Sequence, residues 1–190
     1  MTAPRRTDMR PIAETDRGRL LAWRNSPDVH PFMYADHLIT PDEHDRWIEK
    51  AISDPERVFR VVELDGEPVG LVSLYDIDRA NGRCSLSRYL AEPAARGIGL
   101  GAWVEVWLIE YAFGPLGLSK LWSEVLATNE TAWRLHLAHG FVEEARFRRH
   151  VRKAGAWQDV LGLGLLAEEW AGRREEMAGR LRERGFVVPT

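Results

Sequence analysis

The sequence is poor in several features that would each point to a particular class of protein. It has one cysteine, Cys84, which excludes an internal disulfide and a cysteine-based zinc cluster. No apolar run approaches the length that crosses a membrane, and residues 1–10 lack the apolar core of a signal peptide. The histidines show no metal-ligand spacing with acidic partners. We therefore expect a cytoplasmic protein without a metal site, in which Cys84 packs within a strand.

The chain also lacks any long run of charges of one sign. Its 26 Lys and Arg residues nearly balance 29 Asp and Glu residues, which gives a formal net charge of −3. This balance argues against a general nucleic-acid binder, and we expect neither nucleic acid nor a membrane among the partners. A chain of 190 residues is long enough for one domain with a substantial core.

The feature that stands out is a glycine-rich turn between a predicted strand and an apolar helix, within segment 89–113. Gly97, Gly99 and Gly101 carry no side chains, so a ligand can approach the backbone there. The start of a helix also offers unpaired N–H groups and positive potential, which suit a phosphate. Neither the GxxxxGK[ST] loop nor a dinucleotide GxGxxG motif is present. From the glycines alone, a tight turn that packs a helix on a sheet is an equally good interpretation.

The predicted elements around this turn indicate an α+β fold. Three antiparallel strands precede a strand–helix–strand unit, and a short helix and a closing hairpin follow it. This order predicts a mixed central sheet in a domain spanning residues 1–166. Residues 167–190 are predicted to form a charged C-terminal helix and tail that is solvated or partly docked.

The turn and a second motif about 30 residues further on together resemble the GNAT family of N-acetyltransferases. The pattern Arg96-x-x-Gly99-x-Gly101 is similar to the acyl-CoA pyrophosphate loop of that family, and segment 129–141, Asn-x-x-Ala-x-x-Leu-His-x-x-x-Gly-Phe, resembles its second signature. The resemblance implies a GNAT fold, a mixed central β-sheet flanked by helices with a strand–loop–helix acetyl-CoA site. The implied acetyl-CoA-binding residues are Tyr89, Leu90, Arg96, Gly97, Ile98, Gly99, Leu100, Gly101, Ala102, Asn129 and Ala132.

Further matches are similar to one group within the family, the enzymes that acetylate UDP-4-amino-4,6-dideoxy-N-acetyl-β-L-altrosamine in pseudaminic acid biosynthesis. They include Arg24-Asn25, Glu43-His44-x-x-Trp47 and segment 70–74. The product of that pathway feeds flagellin glycosylation. The resemblance implies a small-molecule amine, a UDP-amino-sugar, as acceptor, and a homodimer is compatible with it. The implied substrate-binding residues are Arg24, Met33, His44 and Ser73, although each alone is more often a surface or core residue.

Two alternatives stay open beside this hypothesis. One is a ribosomal-protein-type N-terminal or other small-amine acetyltransferase, which shares the general layout. The other is a non-catalytic acyl-CoA-binding sensor, because the tyrosine that the family uses as an acid is missing.

Two residues are candidates for catalysis, Glu124 and His136. Strand alternation places Trp122, Glu124 and Leu126 on one face, and a carboxylate on a mostly apolar face tends to have a raised pKa, which suits a general base. Its alternative role is an ion pair with an arginine. His136 stands where the family has its tyrosine acid. A phenol is protonated at neutral pH, whereas an unperturbed imidazole is only partly so, and His136 is therefore either a proton donor to the departing thiolate or a packing residue.

Overall fold

The computed structural model describes residues 5–189, so the first four residues of the predicted N-terminal segment and the last residue of the tail lie outside the described part. A seven-stranded sheet has the order β1-β2-β3-β4-β5-β7-β6. The strands are β1 (Thr7–Pro11), β2 (Val58–Leu64), β3 (Glu67–Asp78), β4 (Arg83–Leu90), β5 (Lys120–Leu126), β6 (Val142–Lys153) and β7 (Ala156–Leu166). Neighbouring strands are antiparallel except β4 and β5, which are parallel. The predicted mixed sheet is confirmed.

Helices cover both faces of this sheet. On one face, α1 (Arg17–Arg24) and α2 (Pro41–Ser53) bury Leu20, Trp23 and Ile48 in one apolar cluster. The other face carries α3 (Leu100–Phe113), α4 (Glu130–Ala138), α5 (Ala167–Ala171) and α6 (Arg174–Glu183). Helix α3 is apolar nearly all round because it packs on the sheet and also contacts α4 and α6.

The C-terminal segment is docked rather than solvated. Trp170, Met177, Leu181 and Phe186 belong to the same core cluster as α3. The segment forms two helices rather than one, since α5 ends before Gly172 and α6 begins at Arg174. Its charged residues lie mainly on the outer side, which explains why the sequence there looks like a solvated helix.

A capping box marks the start of α2, where the Thr40 hydroxyl accepts the Glu43 N–H at 3.3 Å and the Glu43 carboxylate accepts the Thr40 N–H at 2.8 Å. Cys84 is buried in the core, and burial raises the pKa of its thiol to about 12. It is therefore a packing residue and not a thiolate. None of the helices in the described part of the chain is long and apolar enough to cross a membrane.

The sheet opens between its two parallel strands. β4 and β5 pair over only three positions, Arg83 with Lys120, Cys84 with Leu121, and Ser85 with Trp122. Beyond them β4 stays paired with β3, and β5 with β7, so the two strands diverge toward their carboxyl ends. The resulting gap leaves one backbone edge of each strand available to a ligand.

Gly70 on β3 has no side chain and so allows β3 to lie close to the end of β4, which borders this gap. A Cβ atom at Gly70 would lie 2.4 Å from the Tyr89 carbonyl oxygen and 2.9 Å from a Leu90 methyl carbon. We expect Gly70→Ala to lower the free energy of unfolding by about 1–3 kcal/mol, because the paired backbone of β4 must shift. Urea denaturation measures this loss.

The control for this substitution is Gly18→Ala in α1. Gly18 is exposed, and a Cβ there would meet nothing within 4 Å. Alanine at a helical position is expected to be neutral or to stabilise by up to about 1 kcal/mol. Equal effects of the two substitutions would contradict the role given to Gly70.

Candidate active site

The glycine-rich turn lies at the open end of the gap, between β4 and α3. Gly97 and Gly99 adopt φ angles of 71° and 90°, in the left-handed region that favours glycine, and Gly99 is the N-cap of α3. A Cβ at Gly101 would lie 3.3 Å from Leu135, so its missing side chain also lets α3 pack closely against α4. Among the described residues, the N–H groups of Leu100 and Gly101 have no hydrogen-bond acceptor, whereas the Ala102 N–H donates to the Gly99 carbonyl at 3.0 Å. The first two N–H groups of α3 could therefore bind an anion.

Cations surround this turn, including two that were not predicted. Arg96 is exposed and pairs with Asp28 at 2.9 Å, so a phosphate would have to share or displace that contact. The Arg184 guanidinium lies beside Gly99, and Arg5 donates to the Ile98 carbonyl at 2.9 Å. The sequence alone does not place either arginine at this turn, because the two come from opposite ends of the chain.

Two adjoining cavities open at the gap. The first, called the gap cavity, has a volume of about 200 Å³ and is lined by residues of β4, β5 and α4, among them Asn129, Ala132 and Glu124. The second, called the α1–α2 cavity, has a volume of about 440 Å³ and lies over the opposite face of β3 and β4. Met33 and Tyr75 line both, so a ligand in the α1–α2 cavity can reach into the gap.

Glu124 lies in the gap cavity, but its surroundings differ from the expected ones. The strand alternation is as predicted, yet the side chain is exposed rather than buried on an apolar face. The Tyr34 hydroxyl donates to its carboxylate at 2.7 Å, and the Trp122 indole N–H lies 3.4 Å away. Burial and this carboxylate raise the pKa of Tyr34, so the phenol stays protonated. No arginine pairs with Glu124 within residues 5–189, and its Oε1 has only the long Trp122 contact, so this oxygen keeps a lone pair that can accept a proton.

His136 is buried on the other side of the same gap and is held at both ring nitrogens. Its Nδ1 lies 2.5 Å from the Glu105 carboxylate, and its Nε2 lies 3.2 Å from the Ser123 hydroxyl. Arg88 donates to the other oxygen of Glu105 at 2.6 Å. Burial alone would raise the pKa of Glu105, but His136 and Arg88 outweigh it and hold that pKa well below its ordinary value. Glu105 is therefore an ionised carboxylate inside the protein.

All four predicted substrate residues line the α1–α2 cavity: Arg24, Met33, His44 and Ser73. His44 does not fit its expected role at a phosphate. It is 3% exposed, its Nε2 hydrogen-bonds the Arg17 carbonyl at 2.8 Å, and burial lowers its pKa, so the ring is neutral. Arg24 does fit, since its Nη1 is buried without a hydrogen-bond partner among the described residues. Tyr89 also turns its ring into this cavity, where it packs edge-on against Trp23.

Several residues of the site were missed by the sequence analysis. Tyr34 and Tyr75 reach the gap cavity, and Arg88, Glu105 and Ser123 surround His136. Glu105 carries a detectable signal, because it is a single carboxylate within the apolar first turns of α3. A charge in such a position is rarely buried without a partner.

The geometry fits the ligand that the resemblance implies. Acetyl-CoA has a negatively charged pyrophosphate at one end and a thioester at the other. The turn at Gly97 to Gly99 has bare backbone and neighbouring cations, and the gap leads from it along the free edge of β4 to Glu124 and His136. Within residues 5–189, no group of three or more His, Cys, Asp or Glu side chains is arranged to hold a metal ion.

Known proteins share both sequence and structure with this chain. A family model for the acetyltransferase (GNAT) domain matches residues 6–142. The SPbeta prophage-derived uncharacterized N-acetyltransferase YokL of Bacillus subtilis is 30% identical over 124 residues, which are 65% of this chain and 70% of that protein. The spermidine N(1)-acetyltransferase of Vibrio cholerae is 26% identical over 152 residues, 80% of this chain and 87% of that protein.

The structural comparison agrees. A crystal structure of spermidine N-acetyltransferase from Vibrio cholerae, in complex with CoA and spermine, has a TM-score of 0.81 at 23% identity, and the match covers 87% of this chain and 98% of that one. This likeness confirms the predicted fold. The family model spans well over half of the sequence and includes the glycine-rich turn and the segment around His136. The chain belongs to the GNAT family of N-acetyltransferases, enzymes that take the acetyl group from acetyl-CoA.

Proposed function

We propose that this N-acetyltransferase acetylates an amine on a small acceptor that also carries phosphate, namely the 4-amino group of a UDP-amino-sugar of the pseudaminic acid type. The observation that carries the proposal is the Arg24 side chain in the α1–α2 cavity, whose buried Nη1 has no hydrogen-bond partner within residues 5–189. The spermidine acetyltransferases named above act, by their names, on spermidine. The acceptor proposed here therefore rests on the residues and motifs of this chain.

Arg24 is a partly buried cation at a position where an anionic ligand could pair with it. Its Nη1 is buried without a hydrogen-bond partner within residues 5–189, and burial lowers the pKa of its guanidinium. Buried charges in proteins are normally paired, because moving an unpaired ion out of water costs on the order of several kcal/mol. A diphosphate in the cavity would supply the partner in a bidentate geometry that suits a guanidinium.

The rest of the α1–α2 cavity supports a nucleotide. Trp47 packs edge-on against Phe59 at 5.4 Å between ring centroids, and both rings line the cavity together with Met33. Such an apolar, aromatic wall suits the flat face of a base. The Ser73 hydroxyl provides a polar contact at the sheet floor, where it is 7% exposed.

The proposed chemistry is direct transfer at the gap. The acceptor amine would enter from the α1–α2 cavity past Tyr75, and Glu124 would accept the proton that the amine loses as the new C–N bond forms. The Tyr34 hydroxyl holds Oε2 of Glu124, and Oε1, whose only donor among the described residues is the Trp122 N–H at 3.4 Å, would take the proton of the amine. Acetyl-CoA supplies the acetyl group.

A polyamine is the second candidate, because a spermidine acetyltransferase matches 80% of this chain. Two features of the α1–α2 cavity argue against a polyamine. Its carboxylate, Glu43, already accepts the Thr40 N–H and contacts His37, and Arg24 would repel a cationic chain. Membership of an enzyme family also argues against the sensor hypothesis.

The test is an acceptor panel assayed by release of the CoA thiol. It compares a UDP-4-amino-4,6-dideoxy sugar, spermidine, and a peptide with a free N-terminus. We expect kcat/KM for the sugar nucleotide to exceed that for spermidine by at least about 100-fold. A charge-assisted hydrogen bond from Arg24 to the phosphate accounts for a factor of this size, and the sugar nucleotide also escapes the charge repulsion that a polyamine would meet.

The matched control is the same sugar nucleotide with a hydroxyl in place of the 4-amine. It should inhibit competitively against the acceptor and release no thiol. A preference for spermidine or for the peptide would refute the proposed acceptor.

A further inference from the structure

We propose that Ser123 is the residue that hands a proton to the departing thiolate, that His136 supplies this proton through its Nε2, and that Glu105 positions the His136 ring. The inference deepens the proposed function, since it assigns the second half of the acetyl transfer. It rests on the geometry of three buried side chains at the gap.

The three side chains form one hydrogen-bonded chain. Glu105 is 0% exposed and holds Nδ1 of His136 at 2.5 Å, so the proton of Nδ1 is committed to the carboxylate. Nε2 then faces the Ser123 hydroxyl at 3.2 Å. His136 is 2% exposed and Ser123 3%, yet both line the gap cavity. With both ring nitrogens occupied, a proton leaves the ring toward the gap through the Ser123 oxygen.

The position of Ser123 along β5 places this chain opposite the base. Neighbouring residues of a strand point to opposite faces of a sheet. Glu124 therefore faces Tyr34, whereas Ser123 faces His136 of α4, and both border the same gap. A thioester lying in the gap would have the amine approach from one side and the sulfur leave toward the other. Glu124, which would remove a proton, and Ser123, which would supply one, thus lie on opposite faces of the sheet.

The protons balance in this scheme. The acceptor nitrogen forms a bond to the acetyl carbon and loses a proton to Glu124, and the C–S bond breaks. The sulfur takes the proton of the Ser123 hydroxyl, and the serine oxygen takes the proton of His136 Nε2. The ring is left neutral, with its Nδ1 proton still on the Glu105 hydrogen bond. Glu124 releases its proton to water, and Nε2 regains one from water.

Charged groups from each neighbouring element act on the His136 ring. Glu105 on α3 contacts Nδ1 of the ring, and Arg88 on β4 pairs with the other oxygen of Glu105. On α4, His139 hydrogen-bonds the Leu135 carbonyl, and burial lowers its pKa, so it is neutral and adds no charge. The Ser123 hydroxyl on β5 and the Phe141 ring complete the surroundings.

The first test is kinetic and uses the full chain with whichever amine it accepts. Ser123→Ala removes one buried oxygen and should lower kcat by about 100-fold with an unchanged KM for acetyl-CoA. His136→Gln should lower kcat by a similar factor, and the double variant should be no worse than either single one, because the two residues act as a unit. Ser119→Ala, an exposed serine just before β5, is the control and should match the wild type.

The pH profile separates proton delivery from a structural role. Wild-type kcat should fall at high pH if a proton donor is needed, and this limb should be absent in Ser123→Ala and in His136→Gln. An alkaline limb that is the same in all three proteins would overturn the proposal.

The second test needs no acceptor, so it also separates this inference from the proposed function. The ring nitrogens of His136 are observed by NMR on addition of CoA or of desulfo-CoA, which lacks only the sulfur. We expect the Nε2 resonance to move with CoA alone, and we expect no such change in Ser123→Ala. Equal responses to both ligands would overturn proton delivery through Ser123 even if the sugar nucleotide is acetylated. A response to CoA alone without turnover of any acceptor would refute the acceptor and leave the proton path standing.

Discussion

Glu124→Gln is expected to lower kcat by about 10²- to 10⁴-fold, the usual contribution of a general base, while the affinity for acetyl-CoA is unchanged. The amide keeps the shape of the side chain, and its oxygen can still accept the Tyr34 hydroxyl that now donates at 2.7 Å. What it loses is the ability to take a proton from the amine. Because Glu124 is exposed and serves no ion pair in the described part of the chain, the fold should be as stable as before.

Steady-state kinetics and calorimetric titration of acetyl-CoA measure the two halves of this prediction. The matched control is Glu143→Gln, an exposed carboxylate on β6 that should leave both quantities unchanged. A variant with full turnover would remove Glu124 from the chemistry. A loss that appears in the affinity for acetyl-CoA instead would show that Glu124 shapes the gap rather than acting as a base.

The parts of the fold that follow from local patterns were predictable. The strand–turn–helix unit of segment 89–113 appears as β4, the left-handed glycines and α3. The α2 start was fixed by Thr40 and Glu43, which lie three residues apart and interact locally. The C-terminal segment was harder because its docking depends on apolar residues that reach a core more than 50 residues away along the chain, as Trp170 does when its indole donates to Glu110.

The candidate site shows the same division between local and distant information. Motifs placed Glu124 and His136 at one gap, but they could not reveal what those side chains touch. Tyr34 reaches Glu124 across 90 residues of sequence, and Glu105 reaches His136 across 31. Neither contact follows from spacing or periodicity. The error about the apolar surroundings of Glu124 has the same origin, because the neighbours along β5 are apolar while the space in front of the carboxylate is an open cavity.

Arg24→Met is expected to raise the KM for a phosphate-bearing acceptor by about 10- to 100-fold, since a hydrogen bond to a charged group contributes roughly 1.5–3 kcal/mol. The KM for acetyl-CoA should not change, because Arg24 lines the α1–α2 cavity and not the glycine-rich turn. Spermidine should be acetylated as well as before or better, since the substitution removes a positive charge from the cavity. Kinetics with both acceptors measure these opposite trends.

The same substitution separates a ligand-binding arginine from a structural one. Arg24 is partly desolvated, with one nitrogen unpartnered among the described residues, so the free protein bears a cost that methionine removes. The melting temperature of Arg24→Met should therefore equal or exceed that of the wild type. Arg19→Met is the control on the same helix, where an exposed guanidinium lies 5.9 Å from the Trp23 ring, and it should leave the acceptor KM unchanged. A marked fall in the melting temperature of Arg24→Met with an unchanged acceptor KM would make Arg24 a packing residue and would take away the observation that favours a phosphate over a polyamine.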